Sequence, residues 1–284
     1  MPQFISLQTD LNDLFDKIRE DTLFVLRQQN MMVQLVTSRS ARGYAARQVP
    51  IFSQAVAMEV GDGDDFAGHR KLTKTNSQTI TPTEAMAGYI LSNRMMLTET
   101  DNNISVSAGM EIGGALAEKV DKDIIGKFSG FTHSLGSAGA TLSIDTSSKA
   151  VALLHNSKAA GTIWAVVHPF MWRAVWFELG QPAADMAFLG DVANQALRDY
   201  FVGRFLAVAW LTSSNITLDA SDDGIAGFFA RSALIYDERE PMSVMPEFDA
   251  SRRAVELNGH IGYGVGYMRP EHGVGVTADA ATPS

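Results

Sequence analysis

Histidine is the first residue type to test for chemistry, and the chain has six: His69, His133, His155, His168, His260 and His272. No two are spaced to present a pair of imidazoles on one helical face, as a zincin-type metal site requires. Cysteine is absent, which removes thiolate metal sites, a thiol nucleophile and disulfides together. Each histidine therefore reads as a structural or surface residue. Asp62, Asp64 and Asp65 begin like a calcium loop, but the twelfth position from Asp62 is Thr73, where a bidentate carboxylate is needed. Thr132-His133-Ser134-Leu135-Gly136 has the outline of a nucleophile elbow. It lacks the first glycine and follows a helical pattern where the elbow needs a strand. Gly262-Tyr263-Gly264-Val265-Gly266 has its third glycine misplaced and no helix after it, so it is not a dinucleotide fingerprint. The expectation is no catalytic set, no metal and no cofactor.

The remaining charged clusters suit contacts rather than catalysis. Arg70, Lys71 and Lys74 have no interleaved aromatics and lie beside Asp62, Asp64 and Asp65. They read as a solvated tip, or as one side of a salt-bridging contact in which those aspartates meet Arg70, Lys71 or Lys74 of another subunit. Arg39, Arg42 and Arg47 sit in a Ser/Gly/Ala connector with no hydrophobic period, and are candidate arm contacts. The formal net charge is −9, so the chain is a poor general binder of nucleic acid, which demands clustered cations. Trp164, Trp172, Trp176 and Trp210 lie in apolar runs and are expected in the core.

These clusters need elements to carry them. Residues 7–36 have apolar positions at spacings of three and four and read as an amphipathic helix. From Gln48 to Thr98 the period is closer to two, with strands expected near 49–59, 79–81 and 89–97, around a polar Gly/Asp tip. Two strands make a marginal ribbon that needs a neighbour. Residues 103–130 form the strongest helix, with Ile112, Leu116, Val120, Ile124 and Phe128 on one face. Gly113 and Gly114 within it call for a packing reason, such as close approach of another chain. Residues 131–145 read as a loop. Helices are expected near 149–157, from Pro169 to Gly180 and over 189–200. Strands are expected at 163–167, 205–211, 225–236, 255–268 and 274–278. The longest apolar stretch, near 159–172, is too short and polar to span a bilayer, and the start of the chain has no secretory pattern.

The collinear order of these elements resembles the major capsid protein of tailed bacteriophages, the Hong Kong ninety-seven type fold. Ile163-Trp164-Ala165-Val166-Val167-His168-Pro169-Phe170 is similar to the strand-then-helix signature of the axial domain. Tyr200 to Phe205, through Ser213-Ser214-Asn215-Ile216, is similar to the later axial strand and its polar stop. Phe248 to Leu257, leading into Gly262-Tyr263-Gly264-Val265, then Arg269 to Val274 and Ala278 to Ala280, is similar to the closing segment of many phage capsid chains.

The resemblance implies an α+β fold divided into an N-terminal arm (1–49), an extended hairpin loop with peripheral-domain strands (50–98), a peripheral domain with its spine helix (99–140), an axial domain (141–235) and return strands of the peripheral domain (236–284). It implies a non-enzymatic subunit that self-assembles through pentamers and hexamers into an icosahedral shell around double-stranded DNA. The DNA would be touched weakly and non-specifically. A separate scaffolding protein and a portal would be partners, a decoration protein is compatible, and no membrane is involved. The location implied is the virion, after assembly in the bacterial host cytoplasm. Some family members crosslink Lys to Asn between subunits, a role open to Lys71 or Lys74. Two other readings are an encapsulin-like nanocompartment shell and a soluble enzyme with an unrecognised site.

Overall fold

In the computed structural model, residues 31–52, 57–63, 71–72, 74–98, 103–180 and 203–282 are described. Residues 7–30 of the helix expected over 7–36, and the helix expected over 189–200, lie outside them. Among the described residues the strands form three sheets, and each owes its place to a different stretch of sequence.

The long helix α3 (Asn103–Ile125) organises the first. Its i, i+4 stripe of Ile112, Leu116, Val120 and Ile124 is almost completely buried. Lys119 and Asp123, and Lys122 and Glu118, pair one turn apart on its outer side. The stripe packs on a four-stranded sheet made by β1 (Thr37–Ser40), β10 (Leu234–Asp249), β11 (Ala254–Tyr267) and β4 (Thr83–Ser92), in the spatial order β1-β10-β11-β4. Val255, Leu257 and Ile261 of β11 and Met242 of β10 face the helix. Gly113 is buried within the chain itself, so no second chain is needed to explain it. Two short helices flank α3: α1 (Met31–Leu35) and α2 (Asn93–Thr98).

A six-stranded sheet carries the second core. Its order is β5 (His133–Thr141), β12 (Gly273–Asp279), β9 (Asp223–Ala230), β6 (Ile163–Val167), β8 (Val208–Thr212) and β7 (Arg204–Phe205). Helix α4 (Ile144–Asn156) starts at Ser143, whose hydroxyl accepts from the Thr146 N–H. Helix α5 (Pro169–Gly180) has proline at its first position, where the missing N–H costs nothing. Both bury apolar faces on this sheet, with Trp172, Trp210 and Phe228 at the centre. The two cores meet at an aromatic joint. Phe128 lies 5.4 Å from Phe229 and 5.7 Å from Phe131 between ring centroids. A Cβ on Gly227 would sit 2.7 Å from the Phe128 ring, so the glycine is what lets the ring lie on the strand.

Several expectations need correction. Residues 133–141 are a strand, not loop. A Gly/Ser/Ala run has little strand propensity, and parallel pairing with β12 supplies what the sequence lacks. The strand expected over 89–97 ends at Ser92. There Ser92 Oγ accepts from the Met95 N–H and opens α2. The single strand expected over 225–236 is two strands in different sheets, broken by a turn in which the Ala233 N–H bonds the Ala230 carbonyl. Strands β5 and β12, far apart in sequence, pair with each other in the six-stranded sheet.

The arm enters through α1, whose Met32 and Leu35, with Val36, are buried against α3. Asp121, deep in the side of α3, accepts the Met32 N–H at 3.2 Å. Burial pushes this carboxyl up from 3.8 to about 6, against the opposing pull of the Met32 and Met31 N–H groups. An acid whose folded pKa is raised loses native-state stability as pH rises through the window between its unfolded and folded values, here about 4 to 6. Asp121→Asn should therefore remove a slope of up to about 1.4 kcal/mol per pH unit in that window. The check is the difference in Tm between variant and parent from pH 4.5 to pH 7.5. In that difference the contributions of His168 and His272, both held below the usual imidazole range by burial, cancel.

Candidate assembly surface

Strands β2 (Arg47–Phe52) and β3 (Lys74–Ile80) form the third sheet, a two-stranded antiparallel hairpin. Its root is anchored, and its described residues farther out are exposed. At the root, Val49 and Ile80 close a small core with Ile235 of β10. Ile80 lies against the backbone of β11, where a Cβ on Gly264 would come within 2.7 Å of its side chain.

A buried ion cluster completes the root. The Asp237 carboxylate has no solvent exposure. Its Oδ2 receives Arg239 Nε at 2.8 Å, Arg239 Nη2 at 2.7 Å and Arg47 Nε at 3.2 Å. Arg239 Nη1 also donates to the Gly43 carbonyl at 2.9 Å. Asp237 Oδ1 has no hydrogen-bond partner. One carboxylate thus ties the connector, the first hairpin strand and the central strand β10 together. Tyr44 adds a second tie, donating to Glu240 Oε2 at 2.8 Å. That bond, then one from His260, holds the Glu240 carboxyl below the usual range. The same bond pushes the Tyr44 hydroxyl up to about 12.

Ser243, His260 and Glu240 superficially compose a hydrolase triad. Ser243 Oγ lies 2.9 Å and Glu240 Oε1 3.2 Å from the same ring nitrogen, Nε2 of His260. A relay needs the serine on one nitrogen and the carboxylate on the other, so this arrangement cannot orient the base and activate the hydroxyl together. Among the described residues no cluster of three or more His, Asp or Glu could hold a metal ion, and no helix is long and apolar enough to cross a membrane.

Beyond the root, Phe52, Met58, Val60 and Leu72 of the hairpin are exposed. Met86, Ile90 and Met245 are exposed on the sheet face turned away from α3. Of the charged candidates, Asp62 and Lys71 are exposed at the tip, while Asp64, Asp65 and Arg70 lie outside the described residues. Lys74 donates to Gln48 Oε1 at 3.3 Å across the hairpin. Arg39 and Arg42 are exposed along the connector, whereas Arg47 turns inward to Asp237. Sequence reasoning missed Asp237, Arg239, Glu240 and Tyr44. The available signal was Asp237-Glu238-Arg239-Glu240, a charged run following an apolar strand start with no turn residue to release it to solvent.

No family model matches the sequence, and no curated protein is significantly similar to it. Solved structures do match. The chain is similar to the virus-like particle from Pyrococcus furiosus (TM-score 0.62, 12% identity, covering 92% of this chain and 98% of that one). It is similar to the capsid of the native GTA particle (TM-score 0.66, 14% identity, covering 89% and 91%). It is also similar to Mycobacterium phage Che8 (TM-score 0.62, 19% identity, covering 81% and 84%). The chain has the mixed α+β phage-capsid fold that its element order implied.

Removing one partner of a buried charge cluster leaves the others unpaired at a cost of about 3–5 kcal/mol. Asp237→Ala strands Arg239 and Arg47 together and should lower stability by about that much. It should also speed proteolytic cleavage between residues 41 and 47, read by mass spectrometry of the first fragments. Arg47→Ala, which leaves the Arg239 pair intact, should cost clearly less.

Proposed function

We propose that this chain is a shell-building subunit, the major capsid protein of a tailed bacteriophage. Copies assemble through pentamers and hexamers into an icosahedral shell around double-stranded DNA. The observation that carries the reading is the hairpin: a ribbon anchored at its root whose Phe52, with Met58, Val60 and Leu72 of the segment joining its strands, is exposed with no cover among the described residues. A solitary folded chain gains nothing from holding such a ribbon out, whereas neighbouring copies bury it. In this reading the α3-backed sheet is the peripheral domain, the six-stranded sheet with α4 and α5 the axial domain, the hairpin from residue 50 onward the extended loop, and residues 1–49 the arm. The role is structural, not catalytic.

The same reading supplies the partners. A scaffolding protein and a portal act during assembly in the host cytoplasm, and a decoration protein is compatible with the finished virion. The net −9 charge keeps contact with DNA weak, so the genome is enclosed without being gripped. The tip aspartates Asp62, Asp64 and Asp65 meet Arg70, Lys71 or Lys74 of a neighbour, and Arg39 and Arg42 serve the arm. Double reversal, Arg70→Glu with Lys71→Glu, should slow assembly most at low salt, where exposed charges are least screened.

The test is negative-stain electron microscopy of the purified full chain, with the native scaffold co-expressed if needed. Closed shells tens of nanometres across are expected, and nucleic acid within them. A monodisperse monomer or dimer in the presence of scaffold would overturn the reading, and shells filled with a protein cargo would replace the viral shell with a nanocompartment. Deleting residues 53–73 should leave the Tm within a few degrees of the parent, because the root lies outside the deletion, yet abolish closed shells.

A further inference from the structure

Strand β4 forms one edge of the four-stranded sheet. It pairs with β11 over ten consecutive residues without a bulge, and nothing among the described strands pairs with its other side. Seven of its ten residues are exposed. Soluble proteins guard such an edge with proline, lysine, a bulge or short length. Thr83–Ser92 contains no proline, lysine or arginine, and Glu84 is its only charge. The opposite edge, β1, is four residues long and carries the exposed Arg39. Among the described strands, β4 is the longer and less guarded edge of this sheet.

The sequence of β4 says which strand fits. Alternation puts Met86, Gly88 and Ile90 on the face away from α3, and Ala85, Ala87 and Leu91 toward it. Consider a second copy of β4 laid antiparallel, with a two-fold axis through Gly88. Met86 then faces Ile90 of the other copy and Ile90 faces its Met86, on either side of the paired glycines. Glu84 faces Ser92, so no like charges are opposed. The two most exposed apolar side chains of the edge, Met86 and Ile90 at 65% and 57% accessible, become two cross-strand pairs. A register shifted by one residue would set side chains of opposite faces against each other, and none of this complementarity would survive.

We propose that β4 is an isologous interface: two copies of this chain join their four-stranded sheets into one eight-stranded sheet by antiparallel pairing of Thr83–Ser92 about Gly88. The pairing would add about eight to ten main-chain hydrogen bonds. It rests on the shell reading only in supposing that copies meet about two-fold axes, and it names the edge through which they do so.

The chain has no cysteine, so crosslinking reports the register directly. Opposed residues in an antiparallel pair have Cα atoms about 4.5–5.5 Å apart, within reach of a disulfide. Residues 86 and 86, or 90 and 90, of the two copies would be more than about 13 Å apart, out of reach. The full-length double variant Met86→Cys with Ile90→Cys should form a disulfide-linked dimer on mild oxidation, at least about tenfold more than either single variant. Mixing the two single variants should restore it. Peptide mapping should find 86 joined to 90. Equal crosslinking by a single variant, a link mapped elsewhere, or no dimer either in the free chain or in particles would overturn the proposal. As a second readout, Ile90→Lys should weaken self-association in sedimentation with an unchanged Tm, and undiminished association would count against the interface. Crosslinked dimers from a chain that builds no shells would keep the pairing and remove the shell reading. Shells that never crosslink would do the reverse.

Discussion

A two-stranded ribbon cannot bury its own side chains, and this constraint shapes the molecule around it. The hairpin of β2 and β3 has to be held at one end by its own chain and covered at the other by something else. The root solves the first half with a small apolar contact, Val49 and Ile80 on Ile235, and with a buried carboxylate shared by two arginines. The apolar contact is too small to fix a direction. The Asp237 cluster is directional, since Arg47 and Arg239 both approach one oxygen and Arg239 also grips the connector at Gly43. Buried ion pairs of this kind contribute little net stability, and their value here is geometric.

The rest of the fold supplies the platform. The stripe on α3 and the inner face of β4, β10 and β11 form one core, and the six-stranded sheet with α4 and α5 forms another. Phe128, Phe131 and Phe229 join them where the end of α3 meets β9. Glycine makes these joints possible by taking up no room. Gly227 accepts the Phe128 ring, and Gly264 lets Ile80 rest on the backbone of β11. The sheet face away from α3 is covered near Ile235 by the hairpin root and bare near Met86, Ile90 and Met245. A surface so divided leaves Met86, Ile90 and Met245 of the single chain exposed.

Much of this was legible in the residues. The period of four from Ile112 to Ile124 fixed both the length and the buried face of α3, because a long amphipathic helix declares itself in its own sequence. Pro169 and Gly180 marked the ends of α5 by local backbone chemistry. Absence of cysteine removed thiolate and disulfide chemistry without reference to any fold. The collinear order of elements was enough to suggest the capsid fold.

What tertiary structure alone decided was every feature that depends on residues distant in sequence. Strand β5 exists because β12, some 140 residues later in sequence, offers it a partner; its own Gly, Ser and Ala would not have made it a strand. Arg47 looked like a solvated arm residue and is instead held by Asp237, because only the folded chain brings a buried carboxylate to its guanidinium. That β4 is an edge among the described strands is likewise invisible in a list of residues, since sheet order depends on which distant strands pair. Local periodicity and turn chemistry belong to the sequence because they act within a few residues. Sheet order, charge burial and exposed edges belong to the structure because they are settled by which distant segments meet.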